Sequence, residues 1–143
     1  MKVKPEEIII FGRSLGGAIA TYLAWKHQPR ALIIEASFTS ATDMAALMFP
    51  WLPVKLLTRF KYNTRERLRD IHCPVLIIHS PDDRLIPFYH GQILYESANH
   101  PKKFLRIKGP HLDGFLRVSF TYVEGLRQFI HELPDPFLTA EAM

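Results

Sequence analysis

Residues 8 to 18 read Ile8-Ile9-Ile10-Phe11-Gly12-Arg13-Ser14-Leu15-Gly16-Gly17-Ala18. The unbroken aliphatic run predicts a strand covered on both faces, as in a parallel sheet. It leads straight into a G-x-S-x-G turn, and from Leu15 to Gln28 the chain is rich in Ala and Leu until Pro29 stops it, which predicts a helix. Strand, tight turn and helix in immediate succession are the context in which this motif presents a reactive serine. A serine on such a turn is held in a strained backbone conformation. Gly12 and Gly16, two positions to either side, are therefore expected to lack side chains so that strand and helix can pass closely. The Leu15 amide opens the helix and is expected to face the same point as the Ser14 hydroxyl, where a helix N-terminus favours negative charge. A purely structural glycine-rich turn, or a phosphate-binding loop, is the competing reading. Neither G-x-x-x-x-G-K-[ST] nor G-x-G-x-x-G accompanies the motif to support it.

Outward from this stretch, further aliphatic runs follow at Ala31 to Ile34, Val75 to Ile78 and, less regularly, Phe104 to Ile107. Phe88 to Ala98 reads as a helix. Val118 to Leu133 reads as another, with an apolar stripe at Phe120, Val123, Leu126, Phe129 and Ile130 ending before Pro134. Strands alternating with helices predict an α/β class, a mostly parallel sheet of about four strands with flanking helices. Residues 1–133 are expected to form one domain, and 134–143 an aperiodic tail. The segment 39–70 breaks the rhythm with Met44, Leu47, Trp51, Leu52, Leu56 and Phe60 and two prolines. It reads either as a helical cap over a site or as an extension of the core.

Composition narrows the class. With 143 residues, 48% hydrophobic and 22% charged, the chain can bury a core and is excluded from the disordered and collagen-like classes. Cys73 is the single cysteine, so no disulfide forms within the chain, and a reducing, cytoplasmic setting is the expectation. A net charge of +4 is too mild to imply nucleic-acid binding. It is nevertheless concentrated at Lys55, Arg59, Lys61, Arg65, Arg67 and Arg69, a solvated face or a surface for peripheral contact with an anionic membrane. The N-terminus lacks a signal-peptide pattern, and the uncharged stretch from Met44 to Val54 falls far short of the roughly 20 residues of a bilayer span.

A serine hydroxyl is a weak nucleophile near neutral pH and needs a base, which in turn needs an orienting carboxylate. After Val75 to Ile78 comes His79-Ser80-Pro81-Asp82-Asp83, a turn bearing two acids; after Phe104 to Ile107 comes Lys108-Gly109-Pro110-His111, a turn bearing a histidine. Serine, acid and histidine thus appear in the order of one known hydrolase arrangement, each following a strand. His79 ends a strand and reads as a packing residue, whereas His27, His90, His100 and His131 lie in or beside helices and read as exposed. No two histidines have H-x-x-x-H spacing and one cysteine makes no cluster, so neither a metal nor another cofactor is expected.

These pieces, with Glu35-Ala36-Ser37-Phe38-Thr39-Ser40 and Cys73-Pro74, resemble the α/β-hydrolase superfamily, most closely the branch of small serine hydrolases that includes protein depalmitoylases. The resemblance spans nearly the whole chain. It implies Ser14 as nucleophile, Asp83 as acid and His111 as base, with the Leu15 amide in the oxyanion hole. Asp83 is preferred to Asp82 because the family's acid stands four residues before a proline, here Pro87; Asp82 reads as a turn former and Asp113 as a cap of the final loop. Pro110 stands where the family usually has a small residue. The resemblance further implies an N-terminally incomplete fold, because in that family other strands precede the nucleophile's strand. The function implied is hydrolysis of a small-molecule, lipid or acyl-protein ester or thioester through an acyl-enzyme. The alternative is a truncated, non-catalytic or partner-completed module that acts by binding, or by homo-oligomerisation through the open sheet edge at Ile8 to Phe11.

Overall fold

The computed structural model describes residues 2–48, 50–51, 63–111 and 119–136. Among them, four strands form one sheet in sequential order: β1 (Ile9–Arg13), β2 (Ala31–Glu35), β3 (Val75–His79) and β4 (Lys102–Arg106). Every neighbouring pair is parallel. Among the described residues five α-helices accompany the sheet: α1 (Leu15–His27), α2 (Ala41–Met48), α3 (Thr64–Leu68), α4 (Phe88–Ser97) and α5 (Phe120–His131). This is the α/β architecture that the alternating pattern predicts.

The strand period of two sorts the aliphatic residues between the faces. Leu32, Ile34, Val75 and Ile77 pack with Ala20 and Ala24 of α1, Leu68 of α3 and Leu94 of α4. Ala31, Ile33, Leu76 and Ile78 pack on the opposite face with Phe129 and Leu133. The central strands β2 and β3 are buried at every position. β1 is not: Ile9 and Ile10 are half-buried and Phe11 is 46% exposed, because this strand is the sheet's edge among the described residues. An aliphatic run alone does not distinguish an edge from a centre.

The C-terminal helix also departs from expectation. Its packed face carries Tyr122, Leu126 and Phe129, while Phe120 is 83% exposed and Val123 and Ile130 are exposed as well. The packed face is rotated relative to the stripe read from sequence and includes Tyr122, whose hydroxyl donates to a buried acid.

The excursion leaves and returns at one place, where Ser40 bridges Asn63 and the Arg65 amide donates to the Thr39 carbonyl. Met44 of α2 is buried with Ala18, Phe38 and Ile86, so this part extends the core, whereas Leu47 and Trp51 are exposed. Leu52, Lys55, Leu56, Arg59, Phe60, Lys61, Asp113 and the tail from 137 lie outside the described residues.

Candidate active site

β1 delivers Ser14 at its C-terminal end, and the turn is as tight as the motif demands. Ser14 has φ 54°, a left-handed value that L-residues rarely adopt. It stands at the N-cap of α1, yet its side chain makes no capping bond. The hydroxyl, which at most helix starts would satisfy a backbone amide, is here free to turn elsewhere. The turn is fixed from β2 instead: the Ser14 amide donates to the Glu35 carbonyl at 2.9 Å, and the Ser37 hydroxyl donates to the Ser14 carbonyl at 2.8 Å.

The two glycines of the motif do different work. A Cβ on Gly12 would stand 2.2 Å from the Gly16 carbonyl oxygen and 2.5 Å from Ala20 Cβ, so strand and helix meet there backbone to backbone. A Cβ on Gly16 would meet nothing within 4 Å. The expectation that both positions exclude side chains is thus corrected for Gly16. The second close approach is at Gly17, where a Cβ would lie 2.5 Å from Ser37 Oγ.

The loops after β3 and β4 bring the acid and the histidine to the same strand ends. His111 Nδ1 lies 2.6 Å from Asp83 Oδ2, and His111 Nε2 lies 3.1 Å from Ser14 Oγ. A carboxylate only accepts, so Nδ1 carries the proton and Nε2 accepts from the serine hydroxyl. Asp83 and His111 are both buried. The other Asp83 oxygen accepts the Leu85 and Ile86 amides, at 3.0 and 2.8 Å, which pins the carboxylate independently of the histidine.

Asp82 turns the chain through its amide's bond to Ser80 Oγ, and its carboxylate does more: it accepts the Gly109 amide at 3.0 Å, tying the acid loop to the histidine loop. Gly109 has φ 105°, which an L side chain would resist.

Behind Asp83 sits His79, fully buried. Its Nε2–H donates to the Ile86 carbonyl at 2.8 Å, and burial holds its pKa below the usual imidazole range. A Cβ on Gly91 would stand 2.7 Å from its Nδ1, so α4 approaches this ring at a glycine. His90, expected to be exposed, is also buried: its Nδ1 accepts the Thr39 amide at 3.2 Å, and burial lowers its pKa too. It borders a cleft of about 430 Å³ shared with Thr39, Asp43, Leu47 and Tyr89, away from Ser14.

A second polar cluster, missed in the sequence, adjoins the serine. Glu35, 1% exposed, accepts from Arg13 Nε at 3.3 Å and from the Tyr122 hydroxyl at 2.7 Å. The opposite end of the Arg13 guanidinium, Nη2, donates to the His111 carbonyl. The available signal was a glutamate closing an otherwise aliphatic strand. Among the described residues no group of three His, Cys, Asp or Glu side chains is placed to hold a metal, and no helix is long and apolar enough to cross a membrane.

The parallel sheet, with Ser14 at the end of β1, Asp83 after β3 and His111 after β4, has the α/β-hydrolase fold, and solved structures of that fold superpose on it. The solved structure of an α/β hydrolase from Penicillium superposes with a TM-score of 0.69, covering 92% of this chain and 65% of that one at 16% identity. An esterase domain from Rhodothermus marinus superposes with a TM-score of 0.64, covering 85% of this chain and 60% of the other at 20% identity. In sequence, the chain is 34% identical over 131 residues to an uncharacterized protein of Mycobacterium tuberculosis, covering 91% of this chain and 47% of the relative. It is 31% identical over 131 residues to human alpha/beta hydrolase domain-containing protein 17B, covering 91% of this chain and 43% of that protein. The chain therefore spans about half the length of the curated relatives it matches. No protein-family model matches the sequence.

Proposed function

We propose that the protein is a serine hydrolase that cleaves a carboxylic ester or thioester through an acyl-enzyme. The observation that carries this reading is the hydrogen-bonded chain from Ser14 through His111 to Asp83, formed by a serine whose side chain is withheld from helix capping. Ser14 Oγ attacks the substrate carbonyl while His111 Nε2 takes its proton; Asp83 stabilises the imidazolium that results. The tetrahedral oxyanion is met by the Leu15 amide at the start of α1, with the positive end of the helix behind it. Collapse expels the alcohol or thiol, which takes the proton from His111. Water, deprotonated by the same nitrogen, then releases the acid and restores Ser14.

The substrate is proposed as a small-molecule, lipid or acyl-protein ester, with no cofactor. Arg65 and Arg69 are exposed and Arg67 lies over the Tyr22 ring, 5.0 Å from its centre, so part of the basic run stays available to an anionic surface in a cytoplasmic setting.

Labelling with a fluorophosphonate probe tests the reading. The protein is expected to be modified at Ser14 and Ser14→Ala to escape, and labelling that survives the substitution overturns the assignment. A series of p-nitrophenyl esters of increasing chain length then reads the acyl preference.

One observation favours a second role, association with another chain or a further segment. Ile8, Ile10, Leu23 and Pro29 border an apolar cleft of about 330 Å³ beside the β1 edge, and Ile19 and Leu23 of α1 are exposed. An apolar sheet edge invites pairing. A concentration-dependent mass by analytical ultracentrifugation would support it; a monomer at every concentration would count against it.

A further inference from the structure

We propose that Arg13, held by the buried Glu35 and Tyr122, is the positioning residue that fixes the His111 loop against Ser14. The inference rests on the serine-hydrolase reading for its consequence in turnover, but its geometry stands without it.

Arg13 and Glu35 are register partners at the C-terminal ends of β1 and β2. Each Glu35 carboxylate oxygen has its own donor, Arg13 Nε on one and the Tyr122 hydroxyl on the other. A buried carboxylate is costly unless paired and hydrogen-bonded, and here both conditions are met by residues far apart in sequence. Burial, with Glu35 beside it, pushes the Tyr122 phenol well above its ordinary pKa, so it remains a protonated donor. Glu35 thus meets the guanidinium on its Nε side, leaving Nη2 to donate to the His111 carbonyl.

The histidine needs that anchor. Pro110 has no N–H, so the residue before His111 cannot tie the loop through an amide. The described ties lie further back, from the Ile107 amide to the His79 carbonyl and from the Gly109 amide to Asp82. Arg13 grips the backbone of His111 itself, while Asp83 and Ser14 hold its ring. Glu35 also accepts the Ser14 amide through its main-chain carbonyl. One residue therefore references the serine directly and the histidine through Arg13, so both reacting groups are set from the same strand end.

The test compares Arg13→Gln, Arg13→Lys and Tyr122→Phe in the full protein. Arg13→Gln is expected to lower kcat by about 10²-fold, the cost of a displaced reacting group, with KM little changed and Tm lowered because the buried Glu35 loses its charged partner. Arg13→Lys, which reaches one partner but not both, is expected to restore part of the loss, and Tyr122→Phe to lower kcat in the same direction by less. The independent readout is the proton resonance of His111 Nδ1–H in its bond to Asp83. It is expected to broaden through solvent exchange in Arg13→Gln and to persist in Ser14→Ala. Wild-type kcat together with an unchanged resonance in Arg13→Gln overturns the proposal. Should that variant fail to fold, Tyr122→Phe, which alters no charge, decides by the same two measurements. Should the wild-type protein show no Ser14-dependent turnover, the hydrolase reading falls while the resonance still decides the brace.

Discussion

Asp83 and His111 meet at 2.6 Å across 28 residues of sequence, and the aspartate is held in that position by the amides of Leu85 and Ile86. The acid is therefore a rigid partner that selects which imidazole nitrogen carries the proton. Asp83→Asn keeps an oxygen for the two amides but can present an N–H to Nδ1, which favours the tautomer that points a proton at Ser14. In the proposed mechanism kcat then falls by about 10⁴-fold with an intact fold. Steady-state kinetics on p-nitrophenyl acetate, with circular dichroism as the control for folding, measures it.

Gly12 and Gly16 should respond differently to the same substitution. Gly12→Ala drives a Cβ into the Gly16 carbonyl, and overpacking of this kind destabilises by roughly 1–3 kcal/mol or more. Gly16→Ala meets open space inside a helix, where alanine is favoured over glycine by about 1 kcal/mol. Urea denaturation of the two variants is expected to move the midpoint down for the first and not for the second.

His79 and His90 make the fold sensitive to mild acid. Burial is the largest cause lowering both pKa values. For His79, the bond to the Ile86 carbonyl, then Asp83 and Glu35, push up while His111 adds to the lowering; for His90, Asp43 pushes up while His79 adds to the lowering. As pH falls through the unfolded value of 6.5, the unfolded chain takes up protons that the folded protein refuses, so stability present above that pH is lost below it. Tm is expected to drop between about pH 7.5 and 5, and His90→Gln to flatten the dependence. An equal slope in that variant would remove His90 from the account.

Cys73 sets a limit at the alkaline end. It is half-buried, and burial pushes its thiol up to about 11 from 9.0. The thiolate is the reactive form, so modification by a disulfide reagent at pH 8 is expected to be slow in the native protein and fast in urea. Because the folded pKa is the higher one, the stability contributed by the neutral thiol is complete below about pH 9 and is lost as pH rises toward 11. Cys73→Ser should lessen that loss in alkaline unfolding curves.

The legible parts of the chain are those governed by local pattern. The aliphatic runs mark about four strands and a mostly parallel sheet because strand burial and the helices between the runs leave few alternatives. The elbow was legible because G-x-S-x-G lies between a strand and a helix. Contacts between elements distant in sequence leave no such local pattern. The apolar stripe read along α5 omits Tyr122, which packs with Leu126 and Phe129 and donates its hydroxyl to Glu35, 87 positions away. His90 looked exposed because periodicity in a short helix does not say which side meets Thr39. Asp82 looked like a turn residue alone because its Gly109 partner is 27 positions away.

By itself, then, the sequence determined an alternating α/β chain, a serine on a strained turn, and an acid and a histidine on the loops after the third and fourth strands. Those features are written in residue type and spacing, which act within a few residues of one another. The tertiary structure decided the rest. It made Gly12 and Gly17 the contact points in place of Gly16, and it joined Tyr122 to Glu35, Glu35 to Arg13 and Arg13 to His111 in one hydrogen-bonded chain. Directional hydrogen bonds and close approaches between elements distant in sequence depend on how sheet and helices stack, and no local periodicity encodes that.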